Sequence, residues 1–253
     1  MREIRSKDNR IFKECQKLSQ KKYRDREGLY LIEGENLIGE VPQTDLVYII
    51  CSDRQEWSFE HDENVYLMSA NLFDKIAQTE TSQGILAVVR KPQISVESLE
   101  QHLRPNDNLV VLDRLQDPGN IGTIIRTAEG AGYGAVVTMK GTADVFSPKT
   151  IRAAAGSVFR IPIIQVEDNG ELRSLSDRLQ KKLVVTAFDT DKFYFDVDLS
   201  KEIALVIGNE GNGVSDELME MADIKVKIPM DGNLESLNAS VAAGILMYET
   251  KRR

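Results

Sequence analysis

Residues 226–248, VKIPMDGNLESLNASVAAGILMY, read as a short strand, a polar loop and a helix. Val226-Lys227-Ile228 is closed by Pro229 and followed by Asp231-Gly232-Asn233. The helix is expected to begin close to Ser236, with Leu237, Val241, Ile245 and Tyr248 spaced for one apolar face. Its first turn carries Ser236, Asn238 and Ser240. One small oxygen is enough to cap a helix. Three polar groups where backbone amides point outward suit a polar ligand as well, so a capped surface helix and a binding site are both open on this stretch.

The half of the chain before this stretch supplies a sheet. Leu109-Val110-Val111-Leu112 is continuously apolar, as strands buried on both faces are. A helix with Ile121, Ile124, Ile125 and Ala128 inward follows, and strands are expected at 135–137, 161–166, 183–188 and 203–207. Ser147-Pro148 opens a further helix, since proline suits a first turn. Apolar runs alternating with helices predict an α/β fold with a mostly parallel sheet. Such sheets bind ligands at the carboxyl ends of their strands. Three polar loops fall there: Asp117-Pro118-Gly119-Asn120 with Arg126 behind it, Gly208-Asn209-Glu210-Gly211-Asn212-Gly213, and 229–240.

Several chemistries are disfavoured. Gly130-Ala131-Gly132-Tyr133-Gly134 follows its helix where a dinucleotide fingerprint precedes one. His61 and His102 are the only histidines and neither has a neighbour at metal-ligand spacing, so no metal is expected. No cysteine or histidine follows residue 102, which excludes a conventional histidine base from the second half.

The chain has 253 residues, 42% hydrophobic and 28% charged, which suits one to two ordinary domains. No apolar run reaches membrane-spanning length, the first residues lack a signal-peptide core, and Cys15 and Cys51 form no CxxC pair. A cytoplasmic, reduced protein without membrane contact is the expectation. Net charge is −8, yet residues 1–26 hold ten basic side chains against four acidic ones. This basic helix, with Ile11, Leu18 and Cys15 on one face, fits an RNA contact or a solvated surface equally well. After Gly28, strands at 29–32, 46–51, 65–68 and 84–90 and helices at 35–40 and 70–77 describe a small α/β domain. Trp57 and Phe59 are read as packing residues. The proline-containing, weakly periodic stretch 91–108 holds the domain boundary.

The order and content of Asp117-Pro118-Gly119-Asn120-Ile121-Gly122 with Arg126, then Ile207-Gly208-Asn209-Glu210-Gly211, then Ile228-Pro229-Met230 with Ser236-Leu237-Asn238 resemble the three motifs of the SpoU/TrmH family. These are RNA ribose 2′-O-methyltransferases of the SPOUT superfamily. Ser147-Pro148 through Gly156 looks like the helix between the family's first two motifs, and Ala239 departs from a frequent valine. The first part of the chain resembles, less specifically, the ribosomal-protein-like RNA-binding domain many members carry.

The resemblance implies an RNA substrate-binding domain over 1–95 led by the basic helix 1–26, a linker over 96–106, and a methyltransferase domain over 107–253 with a deep trefoil knot. It implies S-adenosylmethionine as cofactor, held by Gly208, Ile228, Leu237 and Asn238, with backbone approaching it closely at Gly208. It implies a homodimer, and a catalytic cluster of Asn120, Arg126, Glu210, Ser236 and Asn238. The substrate expected is ribosomal RNA; transfer RNA, or a non-catalytic RNA-binding or ribosome-assembly role on the same fold, are the alternatives. A guanidinium stays protonated, so Arg126 is expected to hold phosphate and developing alkoxide charge and not to act as a free base. Glu210 could instead merely favour a helix start, and Ser236 could merely cap its helix.

Overall fold

The computed structural model describes residues 2–57, 64–187, 189–231 and 236–252. Phe59, His61 and the loop residues Gly232 and Asn233 lie outside the described residues. The chain divides into two compact units, 1–92 with 146–151, and 93–145 with 152–253.

The first unit runs β1 (Arg2–Ile4), α1 (Arg10–Leu18), α2 (Lys21–Glu27), β2 (Leu29–Glu33), α3 (Glu35–Gly39), β3 (Leu46–Ser52), β4 (Val65–Met68), α4 (Ala70–Phe73) and β5 (Ile85–Arg90). Its sheet has the order β1-β4-β3-β5-β2; β1, β4 and β3 are parallel, while β5 is antiparallel to both β3 and β2. The single basic helix expected over 1–26 is instead a strand and two helices. Asn9 caps α1 by accepting from the Ile11 amide at 2.8 Å. At Ser19-Gln20 the chain leaves the helix, because Phe12, Cys15 and Leu18 must reach the core under the sheet. Gly28 ends α2 at φ +65°, a left-handed cap that glycine adopts without strain. Arg24 does not join the basic surface: it is buried, and its Nη1 donates to the Leu18 carbonyl at 2.7 Å. Trp57 is half-buried and donates its indole N–H to the Ser52 carbonyl at 2.9 Å, in line with a packing role.

The second unit runs β6 (Leu109–Leu112), α5 (Pro118–Gly130), β7 (Ala135–Met139), α6 (Pro148–Ala154), β8 (Ile163–Val166), α7 (Asn169–Arg178), β9 (Lys182–Thr186), β10 (Ile203–Ile207), α8 (Asp216–Met221), β11 (Ile224–Val226) and α9 (Ala239–Glu249). All its pairings are parallel, in the order β11-β9-β10-β6-β7-β8. Every residue of β6 and β10 is buried, which is why these strands are apolar without alternation.

Four boundaries differ from the sequence reading. The stretch 96–106 is not an open linker, because Leu99 is fully buried in the core of the second unit and Val96 and Leu103 pack on it. Residues 146–151 cluster with the first unit although they lie inside the span 107–253. The last strand is Ile224–Val226, not 226–228, and α9 starts after Asn238, not at Ser236.

The apolar face that spacing picks out in α9 is not the buried one. Ala243, Leu246 and Met247 are buried, while Val241 and Tyr248 are 51% and 55% exposed. The helix is apolar almost all round, so periodicity cannot choose which face meets its own core. The small residues Ala243 and Gly244 win because they allow close approach to α5, where Thr127 lies beside Gly244.

Candidate active site at the strand ends

β6 and β10 are neighbours in the sheet, so the loops leaving them emerge side by side. The Asp113 amide still bonds the Ile207 carbonyl at 2.9 Å, and the buried Asp113 carboxylate accepts the Ser215 amide at 2.8 Å, which fixes the far end of the second loop. That loop is a tight return. Asn209 and Gly213 exchange two backbone hydrogen bonds of 2.9 Å. The Asn209 Oδ1 accepts from the amides of Gly211 and Asn212, and its Nδ2 donates to the Arg114 carbonyl at 2.8 Å. A Cβ on Gly208 would lie 2.2 Å from the backbone of Gly213 and Val214. The chain's own turn therefore requires glycine here, a reason separate from close approach to a ligand.

The first loop is shaped at its start by Asp117, which caps α5 by accepting the Gly119 amide at 2.9 Å with Pro118 in the first turn. The amides of Gln116 and Asp117 point at the Glu210 carboxylate, at 3.0 and 3.1 Å. Asn120, almost buried at 7% exposure, donates its Nδ2 to the same carboxylate at 3.1 Å. Its Oδ1 accepts from Asn238 Nδ2 at 3.0 Å. The Asn238 Oδ1 in turn accepts the Ser240 amide, the Val241 amide and the Ser240 hydroxyl at 2.9, 3.3 and 2.7 Å. Asn238 is thus the cap of α9.

Glu210, Asn120 and Asn238 form one hydrogen-bonded line across all three loops, and its direction is fixed from both ends. A carboxylate only accepts, and a helix N-terminus only donates. Both amide groups between them can therefore sit only one way round. Partial burial would raise the Glu210 pKa, but the Gln116 amide, the Asn120 side chain and the Asp117 amide outweigh it and hold the carboxyl below its ordinary value.

Arg126 and Ser236 stand apart from this line. Both are exposed, and among the described residues neither side chain makes a hydrogen bond or ion pair within the protein. Ile228 and Leu237 are half-buried and apolar. Of the expected site residues, Asn120, Glu210 and Asn238 are thus bonded together, Gly208 belongs to the same loop as Glu210, and Arg126 and Ser236 are left uncommitted. Sequence reasoning passed over Gln116 and Asp113. The amide of Gln116 and the carboxylate of Asp113 brace the loops, and a backbone donor leaves no residue-type signal. Among the described residues no group of three or more His, Cys, Asp and Glu is placed to hold a metal ion.

On the first unit, Tyr23 is surrounded by cations, with Arg26 at 4.9 Å and Lys17 and Lys22 at 5.9 Å from its ring centre.

Residues 107–248 match the model of the SpoU rRNA Methylase family, and residues 9–87 match the MRM3-like substrate binding domain. The chain is similar to the 23S rRNA (guanosine(2553)-2′-O)-methyltransferase RlmP of Bacillus subtilis, at 37% identity over 99% of this chain and 100% of the relative. Among solved structures it is similar to an AdoMet-bound rRNA methyltransferase from Sinorhizobium meliloti, with a TM-score of 0.86 at 28% identity, covering 99% of this chain and 97% of that one. It is similar also to the SpoU methyltransferase AviRb from Streptomyces viridochromogenes in complex with AdoMet, with a TM-score of 0.87 at 29% identity over 96% and 97% of the two chains.

Proposed function

Because the chain belongs to the SpoU rRNA methylase family and is thereby an RNA ribose 2′-O-methyltransferase, we propose that it methylates ribosomal RNA of the large subunit, with S-adenosylmethionine as methyl donor and a second copy of itself as partner. The observation that carries the reading is the line Glu210–Asn120–Asn238 joining the three motif loops. A protein that kept the fold only to bind RNA has no use for holding these three groups in one orientation.

The donor set suits the cofactor. The half-buried Ile228 and Leu237 offer apolar surface to an adenosyl group, and no cysteine or histidine after residue 102 competes for an electrophilic methyl. Gly208, Ile228, Leu237 and Asn238 would hold S-adenosylmethionine, which when bound supplies that methyl carbon. Everything else falls to the chain's own residues. The uncommitted Arg126 binds the RNA phosphate and stabilises charge developing on the ribose oxygen. Ser236 orients the hydroxyl. Asn120 and Asn238 are held by their bonds in the one orientation the line allows, so they need no reorganisation at the moment of reaction. Glu210 is a positioning residue, because a carboxylate already accepting three hydrogen bonds with a depressed pKa is a poor proton acceptor. The proton leaves to a phosphate oxygen or water.

The partner reading rests on α9, whose exposed Val241 and Tyr248 form an uncharged apolar stripe with the half-buried Ile245, the composition of an interface centre. The sheet order β11-β9-β10-β6 is consistent with a trefoil knot between the second and third loops. The basic surface around Tyr23 suits RNA phosphates and bases. Among the described residues no helix is long and apolar enough to cross a membrane, and a ribosomal RNA substrate implies action in the cytoplasm. The test is to map 2′-O-methyl groups in all cellular RNA with and without the gene. A lost mark in 23S rRNA is expected. A loss confined to transfer RNA, or no loss, overturns the substrate assignment.

A further inference from the structure

The run Phe193-Tyr194-Phe195 leaves the carboxyl end of β9, on the same sheet edge as the three motif loops. It is held in place from two sides. Lys227 donates its amide to the Lys192 carbonyl at 2.9 Å, and its carbonyl accepts the Tyr194 amide at 3.1 Å. Lys227 directly precedes Ile228, so the run is bonded to the stem of the third motif loop. Asp196 closes the turn by accepting the Phe193 amide at 3.2 Å. The rings of Phe193 and Phe195 are stacked, 5.3 Å apart and 19° from parallel, and Tyr194 meets Phe195 edge-on at 5.1 Å. Lys227 Nζ lies 5.2 Å from the Phe193 ring centre, and Lys192 is exposed beside it. Phe195 is 38% exposed.

An exposed, braced aromatic ring, stacked on a second ring that has a lysine ammonium over it, needs an explanation, since packing alone would have turned it inward. We propose that Phe195 is a stacking platform for a nucleobase of the RNA substrate next to the methylated ribose, with Lys227 and Lys192 taking the flanking phosphates. This rests on the RNA methylation reading above. Such a ring could have two other occupants, the cofactor or a second copy of the chain. The loop is not a basic field, since it also carries Asp189, Asp191, Asp196 and Asp198; S-adenosylmethionine is placed above on Gly208, Ile228, Leu237 and Asn238, whereas a nucleotide brings both a base for the ring and a phosphate for a lysine beside it. Interface centres are depleted of lysine, and the uncharged stripe on α9 fits a second copy better than this cluster does.

The experiment uses the full-length protein and in vitro transcribed 23S rRNA. Phe195→Ala is expected to lower kcat/KM for this RNA by roughly 5- to 150-fold, the range base–aromatic stacking supplies. Affinity for S-adenosylmethionine by calorimetry and the sedimentation coefficient should both stay at the wild-type value. Phe195→Trp should restore most of the activity. Lys227→Gln should flatten the slope of log affinity for the RNA against log salt by about 0.7 to 0.9. Wild-type kcat/KM in Phe195→Ala overturns the platform. So does a matching loss of S-adenosylmethionine affinity, which would make the ring a cofactor shelf, or a shift to monomer, which would make it a subunit contact. If the wild-type protein itself fails to methylate any RNA, the fault lies in the functional reading and not in the platform.

Discussion

Asn238→Asp tests the direction of the hydrogen-bonded line with a change of one atom. The aspartate keeps the oxygen that caps α9, and a negative charge at a helix N-terminus is favourable by about 0.3–1 kcal/mol. It replaces the Nδ2 that donates to Asn120 by a second acceptor. Asn120 cannot rescue the pair by turning its amide over, because its oxygen would then face the Glu210 carboxylate, to which it now donates. One acceptor of an almost buried residue is left facing another acceptor, at a cost of about 1–3 kcal/mol. Asn238 itself is exposed and water can share the load, so the lower end, about 1 kcal/mol, applies, and the gain at the helix end reduces the net loss to about 0.7 kcal/mol or less. Urea denaturation of wild type and variant measures it. Glu210→Gln combined with Asn238→Asp is the decisive arm. The introduced glutamine amide can donate to the Asn120 oxygen, which takes from the Asp117 amide the acceptor it shares with Asn120 but frees the glutamine oxygen for the Gln116 amide; the Asn120 NH2 can then turn toward the introduced carboxylate, so the line between the three side chains runs backwards. The two changes together should be more stable than the sum of the single effects, by about 1 kcal/mol or more. Strict additivity in the double variant would refute a line with one fixed direction.

Other outcomes follow from the same geometry. Arg126→Ala should fold and bind S-adenosylmethionine normally, since the Arg126 side chain makes no bond within the described protein, yet lose at least about 100-fold in methyl transfer measured with a labelled donor; Arg126→Lys should recover little, because an ammonium cannot reproduce a planar fork on phosphate. Gly208→Ala should lower stability by more than about 3 kcal/mol or prevent folding, because its Cβ would meet the Gly213 and Val214 backbone at 2.2 Å; a wild-type melting curve would contradict the turn described here. Val241→Glu with Tyr248→Glu should give a folded monomer in sedimentation with little methyl transfer. The lowered pKa of Glu210 means its carboxylate contributes stability above the ordinary carboxyl value of about 4.3, lost as pH falls through the folded value. Glu210→Gln should thus be less stable than wild type at neutral pH and match it in acid, and a difference that persists in acid would assign the effect to something other than the charge.

The sheet of the second unit was legible because burial on both faces removes polar residues from its strands, as β6 and β10 show. Helix faces were legible only where one side was polar. α5 carries Arg126 outward and Ile121, Ile124 and Ile125 inward, and its orientation followed from the sequence. In α9 both sides are apolar, so the apolar face of Leu237, Val241, Ile245 and Tyr248 that spacing picks out does not tell which side is buried, and the chain buries Ala243, Leu246 and Met247. The stretch 96–106 misled for the opposite reason. Val96, Leu99 and Leu103 do keep a helical spacing, but the element they serve is one short turn, Leu99–His102, too brief for three apolar residues among polar ones to stand out.

At the site, sequence spacing selected residues without separating the ones that react from the ones that hold. Asn120, Glu210 and Asn238 look alike in a motif to Arg126 and Ser236, since all are polar and all fall in the three loops. The hydrogen bonds divide them. The first three satisfy one another, and two of the partners that complete them are the amides of Gln116 and Asp117, which any residue type could supply. What remains uncommitted, a guanidinium and a hydroxyl, is what can meet a phosphate and a ribose without first breaking an internal bond. A substitution in the first group should therefore move stability and rate together. A substitution of Arg126 should move rate alone, and only a measurement of both quantities on the same variants separates the two kinds of residue.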